Sequence, residues 1–103
     1  MQHVMTEPQD GDRIEIAPGD ELLVRLEQQS GGGYLWSIAE VPAFLTEGQA
    51  EVEPVDRALP GQARTLALGV RATAQGTGEL VLTLRRPWES EPAEQRVVHV
   101  DVR

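Results

Sequence analysis

Apolar residues recur at every second position in several short runs of this chain. One run places Leu22, Val24 and Leu26 on one face of an extended segment and charged residues on the other. The same spacing is found at 66–72, 80–84 and 98–102. Because the side chains of a strand point alternately to opposite faces, this period predicts strands with one buried face rather than helices.

Short segments rich in glycine, proline and serine separate these runs and predict turns. They lie at 18–20, 30–33, 60–62, 75–78 and 89–92. The chain is thereby divided into strands predicted at 13–16, 21–28, 34–40, 50–54, 64–73, 79–86 and 95–102. Only residues 42–47 (PAFLTE) predict a helical turn, with Pro42 at its first position. About seven antiparallel strands joined by regular turns predict an all-β fold, an immunoglobulin-like β-sandwich.

The length and the composition fit a single domain that needs no cross-links. The chain has 103 residues and no cysteine, so an apolar core must stabilise it. Residues 1–12 are polar and contain Pro8 and Gly11, which predicts a flexible N-terminal arm before a sandwich domain at 13–103. We expect this domain to be a stable monomer without a metal or another cofactor.

Charge and hydropathy exclude two classes of partner. The chain has 17 acidic residues against 9 basic ones and a net charge of −8. This charge argues against a nucleic-acid partner, because phosphate neutralisation dominates that kind of binding. No apolar run approaches the roughly 20 residues that span a membrane, so no membrane partner is expected. The N-terminus has neither a basic start nor an apolar segment, which predicts a cytoplasmic protein unless a leader has been removed.

Candidate catalytic and metal-binding groups are sparse. None of the serines lies in a G-x-S-x-G nucleophile elbow. His99 and Asp101 share the outward face of the last predicted strand, where a solvated polar surface is the simpler interpretation because no nucleophile accompanies them. Asp10 and Asp12 are too few for calcium, which takes about six oxygen ligands or more. The sequence therefore predicts a protein that is not an enzyme and holds no metal.

The unusual features are aromatic residues and glycines at the ends of predicted strands. Trp36 lies on the third predicted strand, where immunoglobulin-like sandwiches bury a tryptophan. Trp88 instead follows Arg86 and Pro87 in a loop, so it is either a lid over one end of the core or an exposed binding anchor. The run SGGG at 30–33 is either an accommodating turn or a loop whose bare backbone approaches a partner.

Three of these segments together resemble the chagasin family of cysteine-peptidase inhibitors. That family carries loop motifs of the form NPTTGYxW, GxGG and RPW on an immunoglobulin-like sandwich. In this chain QSGGGYLW, GQAR and RPW occupy the corresponding places, at 29–36, 61–64 and 86–88. The order of the motifs and their strand context match from about residue 13 to the C-terminus.

The resemblance implies a reversible inhibitor whose three loops form a wedge in the active-site cleft of a papain-like cysteine peptidase. The glycines of the first loop would let the backbone approach the charged thiolate–imidazolium pair of the peptidase. The third loop would pack on one rim of the cleft, and the second loop would fill the other side. The residues that the resemblance places in contact with the peptidase are Gly31, Gly32, Gly33, Tyr34, Gly61, Gln62, Ala63, Arg64, Arg86, Pro87 and Trp88.

Two of the three motifs depart from the family pattern. Gly31 and Gly32 stand where the family has its threonine pair, Gln29 and Ser30 replace asparagine and proline, and only Gly61 remains of the glycines of the second motif. Two alternatives therefore stay open. One is a protein-binding immunoglobulin-like module that kept the fold but lost peptidase inhibition, and the other is a structural sandwich without a partner.

Overall fold

The computed structural model describes residues 1–28, 33–52 and 64–103. Within these ranges the chain forms eight strands and no helix. The strands are β1 (Gln2–Thr6), β2 (Arg13–Ile16), β3 (Glu21–Gln28), β4 (Leu35–Glu40), β5 (Leu45–Val52), β6 (Arg64–Ala72), β7 (Gly76–Arg85) and β8 (Glu94–Val102). In this part of the chain no helix is long and apolar enough to cross a membrane.

The strands form two sheets of four that pack as a sandwich. Sheet A has the order β1-β3-β6-β5 and sheet B the order β2-β8-β7-β4. Most neighbours are antiparallel, but β1 pairs with β3 and β2 pairs with β8 in parallel. The predicted all-β sandwich is therefore confirmed, with two parallel pairings that local sequence patterns do not reveal.

The core lies between the inner faces of the two sheets. The alternating residues of the sequence analysis supply it, because one face of each strand turns inward. The largest side chains that are fully buried are Leu22, Leu26, Leu80, Leu82, Val24, Val98 and Val100. Trp36 joins this cluster with 5% of its surface exposed, which confirms its predicted place in the core.

The first strand is a departure from the flexible arm predicted for residues 1–12. Residues Gln2–Thr6 pair along their whole length with the edge of β3, from Gln2 opposite Glu21 to Thr6 opposite Arg25. Met5 of this strand packs against the core cluster. The edge of β3 has unpaired backbone groups that can bind another strand, and the core offers an apolar contact to Met5. These two interactions order β1, although its sequence shows little alternation of apolar and polar residues.

The fifth strand also departs from the prediction. The expected helical turn at 42–47 is not formed, because β5 already begins at Leu45. This strand includes residues 50–52 of the strand predicted at 50–54, and residues 53 and 54 lie outside the described residues. A hydrogen bond from the Leu45 amide to the Pro42 carbonyl (3.0 Å) closes a single turn before the strand. Leu45 is buried in the core and faces Ala72 of β6, so tertiary packing fixes it in an extended conformation.

Asp20 links the start of β3 to the preceding turn and to β1. Its carboxylate lies 2.8 Å from Nε2 of His3 and accepts a hydrogen bond from the Ala17 amide (3.0 Å). These hydrogen bonds, with the one to His3 contributing most, hold the pKa of the Asp20 carboxyl well below its ordinary value.

We expect Asp20→Asn to lower the melting temperature near pH 7. A carboxyl with a depressed pKa in the folded state stabilises the fold above its unfolded pKa of about 3.9, and this contribution is lost as the pH falls through the folded pKa. The gap between the two melting temperatures should therefore close progressively below about pH 4. Thermal melts from pH 7 to pH 2 measure this gap, and a gap that stays constant would contradict the assignment.

Candidate functional site

The strand pairings bring the borders of the three candidate loops to one end of the sandwich. Gln28, the last residue of β3, faces Arg64, the first residue of β6. Leu35, the first residue of β4, faces Arg85, the last residue of β7. The first loop (29–34) leads from β3 to β4 and the third loop (86–93) leads out of β7, so both start from this end.

Only part of the predicted contact set lies in the described residues. Gly31, Gly32, Gly61, Gln62 and Ala63 fall outside them, and the roles predicted for these five stay predictions. The members that the structure describes are Gly33, Tyr34, Arg64, Arg86, Pro87 and Trp88. Four of these six are brought together by direct contacts, while Arg64 and Pro87 are exposed.

The indole of Trp88 rests on the bare backbone of Gly33. A Cβ atom at position 33 would lie 2.6 Å from Cη2 and 3.2 Å from Cζ3 of Trp88, which is closer than side chains tolerate. Gly33 also has a φ of +80°, in the left-handed region that favours glycine. Trp88 nevertheless keeps 70% of its surface exposed. It is therefore seated on the first loop and presented to solvent, rather than folded over the core.

Arg86 joins the two loops through their aromatic rings. Its guanidinium carbon lies 4.4 Å from the centre of the Tyr34 ring and 5.8 Å from that of Trp88. A guanidinium at these distances from an aromatic face is attracted by the negative π cloud. Nη1 of Arg86 also lies 3.4 Å from a carboxylate oxygen of Glu89. Its position between these groups holds Tyr34 of the first loop against the third loop.

A tight turn holds Trp88 at the tip of the third loop. The Glu89 amide donates a hydrogen bond to the Arg86 carbonyl (3.0 Å), so Pro87 and Trp88 are the two central residues of the turn. Proline at the first central position fixes φ near −65° and favours this geometry. Nη1 of Arg85 donates to the Glu89 carbonyl (2.8 Å) and braces the turn from β7. The tryptophan is therefore carried on a preorganised segment.

Trp36 supports this end of the sandwich from inside. The guanidinium carbon of Arg96 lies 4.7 Å from the centre of the Trp36 ring. Arg96 is held in turn by ion pairs with Glu7 (2.9 Å) and Glu94 (2.6 Å). The Trp36 amide donates to Oε1 of Gln28 (3.3 Å), which ties the start of β4 to the end of β3. Sequence reasoning missed Arg96 and Glu7, because their positions far apart in the chain carry no local signal.

The polar residues considered as catalytic or metal-binding groups have structural partners. Asp101 is buried, with a carboxylate oxygen 3.5 Å from Nη1 of Arg13, so the solvated surface expected there is wrong for this residue. It is covered because β2 runs beside β8. Asp10 accepts a hydrogen bond from the Val97 amide (2.7 Å) and Asp12 accepts one from the Gln9 amide (2.8 Å). The described ranges contain no group of three acidic or histidine side chains placed to hold a metal ion.

Comparison with known proteins gives one family match. The sequence model described as "Chagasin family peptidase inhibitor I42" matches residues 15–102. This range contains all three candidate motifs. No curated protein sequence matches the chain.

Solved structures match the whole chain. The cysteine protease inhibitor EhICP2 from Entamoeba histolytica has a TM-score of 0.82 at 24% identity, with 99% of this chain and 96% of that chain covered. Amebosin has a TM-score of 0.81 at 25% identity, with 100% and 99% covered. PbICP-C, solved in complex with falcipain-2, has a TM-score of 0.60 at 19% identity, with 100% and 90% covered. The two likenesses below 25% identity concern the fold alone.

Proposed function

Because this chain belongs to the chagasin family of peptidase inhibitors, we propose that it is a reversible inhibitor of papain-like cysteine peptidases. The observation that carries the proposal is the exposed indole of Trp88, seated on Gly33 and bordered by Arg86 and Tyr34. Arginine and tryptophan are the residues most enriched among binding hot spots. The choice of peptidase follows from the family. Two proteins that share the fold agree with it, since EhICP2 is a cysteine protease inhibitor and PbICP-C has been solved with falcipain-2.

The proposed mechanism is obstruction of the cleft by loops that offer no bond for cleavage. Trp88 packs on the rim of the cleft, on a turn whose geometry is set before binding. A preorganised contact loses little conformational entropy on association, which favours affinity. The backbone at Gly31 and Gly32 approaches the thiolate–imidazolium pair, where bulk would interfere. Gly33 supports Trp88 in this mechanism, because the Trp88 ring of the same chain occupies the space beside the Gly33 backbone.

The second motif completes the proposed wedge. Arg64 begins β6 opposite Gln28, beside the first loop, and its side chain is exposed. Gly61, Gln62 and Ala63 precede it and would fill the far side of the cleft. We take the inhibitor to act as a monomer, since all three motifs belong to one chain.

Titration of papain with the wild-type protein tests this proposal. We expect residual activity to fall with added protein and to return on dilution, because no covalent bond is formed. Trypsin, a serine peptidase, is the control and should keep its full activity. A protein that leaves papain active at micromolar concentration is not an inhibitor of this class. The departures in the first two motifs would then favour a protein-binding module that kept the fold.

Gly33→Ala should weaken papain inhibition by about tenfold, because the added methyl group displaces the indole of Trp88. It should also lower the free energy of unfolding by about 1 kcal/mol, because alanine is strained at positive φ. Gly11→Ala is the matched control, since Gly11 has a φ of +93° and open space where its Cβ would lie. Inhibition constants and denaturant melts of both variants separate the two effects. Equal inhibition by both variants would mean that the contact between Trp88 and Gly33 does not contribute to papain inhibition.

A further inference from the structure

A second apolar side chain lies exposed close to Trp88. The large apolar residues that are exposed in the described ranges are Met1, Val4, Leu35 and Trp88. Leu35 keeps 46% of its surface in contact with solvent, although its neighbour Trp36 is in the core. Because successive side chains of a strand point to opposite faces, Leu35 stands on the outer face of sheet B.

The distance between Leu35 and the seat of Trp88 is short. Leu35 is two residues beyond Gly33, and two residues of chain span at most about 7 Å. The Trp88 ring lies against Gly33 itself. Both apolar groups therefore border the same end of β4, which is one of the two edge strands of sheet B.

The neighbours of Leu35 on the outer face of sheet B give no packing reason for a leucine at this position. Arg85 faces it across the β4–β7 ladder, but the Arg85 guanidinium donates to the Glu89 carbonyl (2.8 Å) in the third loop. Ser37, the next residue on the outer face of β4, is small and polar. Isolated exposed leucines are common on protein surfaces, so exposure alone would carry little. Its place beside an exposed tryptophan on a preorganised turn is what distinguishes it.

We infer that Leu35 is a second peptidase contact and that the binding surface continues from the third loop onto the outer face of sheet B. This inference rests on the proposed function. The surface is then a pair of apolar groups, Trp88 and Leu35, bordered by Arg85 and Arg86. It fits a peptidase whose cleft rim presents an apolar side chain on the side that receives Trp88. The inhibitor should bind less tightly to a peptidase with a charged residue at that place, because contact with Leu35 would desolvate the charge without giving it a partner.

Leu35→Ser and Val4→Ser form a matched pair for the test. Val4 is also aliphatic and 51% exposed, but it lies on β1 of the other sheet. The inhibition constant for papain should rise about tenfold for Leu35→Ser and stay within about twofold for Val4→Ser. Leu35→Met keeps the apolar bulk and should retain the wild-type constant. Melting temperatures of all three variants should stay near that of the wild type, since both positions face solvent.

The outcomes separate this inference from the proposed function. A wild-type protein that inhibits papain together with an unchanged constant for Leu35→Ser overturns the role of Leu35 alone. Equal losses for Leu35→Ser and Val4→Ser, or a loss that follows a lower melting temperature, also overturn it. A wild-type protein that does not inhibit papain overturns the proposed function and this inference with it.

Discussion

Replacing Trp36 by alanine should lower the free energy of unfolding by about 3–5 kcal/mol, as truncation of a buried aromatic residue does. The side chain is 5% exposed and belongs to the core cluster between the two sheets. Its removal leaves a cavity and takes away the aromatic face on which Arg96 rests. Urea or guanidinium unfolding of the wild type and the variant measures the difference.

Trp36→Phe is the matched control for this change, because it keeps an aromatic ring in the same cavity. It should cost clearly less than Trp36→Ala, since less volume is lost. A loss below about 1 kcal/mol for the alanine variant would mean that the sandwich closes over the site and that Trp36 is not a principal core residue.

Replacing Trp88 by alanine should weaken papain inhibition by 2 kcal/mol or more, roughly a thirtyfold increase in the inhibition constant. The indole is 70% exposed, so the free protein does not depend on its burial. The free energy of unfolding should therefore change by about 1 kcal/mol or less. Inhibition constants and denaturant melts on the same preparations give both quantities.

The two tryptophan variants should differ in which property they change. Trp36→Ala should mainly destabilise the fold, and Trp88→Ala should mainly weaken binding. Arg86→Ala should follow Trp88→Ala, because its guanidinium lies against both Tyr34 and Trp88. If Trp88→Ala proves the more destabilising of the two, the third loop is a cover for the core and the proposed anchor is wrong.

The sequence identified the class of the protein because its signals are local. Period-two alternation is a property of neighbouring residues, so β2 and β3 have the predicted bounds of 13–16 and 21–28. The G-Y-x-W and R-P-W motifs are short as well, and the family match over 15–102 confirms the prediction of a protease inhibitor rather than an enzyme. Trp36 could be assigned to the core because it lies within a strand.

The strands that sequence reasoning misplaced are those with weak or interrupted patterns. The register of β5 against β6 shifts between Glu47 and Ala50, and such a bulge breaks the alternation on which the prediction depends. The strand β1 is held by its parallel pairing with β3 and by the packing of Met5. Partners that lie far away in the chain supply these contacts, so the local pattern contains no record of them.

The candidate site shows the same division between local and distant information. The sequence by itself determined which residues carry the motifs, that the fold is an all-β sandwich, and that Trp88 lies in a loop. Only the tertiary structure decided that Trp88 rests on Gly33, that Arg86 lies against Tyr34, and that Leu35 borders the same end. These contacts join segments that are distant along the chain, and they depend on how the two sheets pack. Local propensities do not encode that packing, which is fixed only when the whole core is buried.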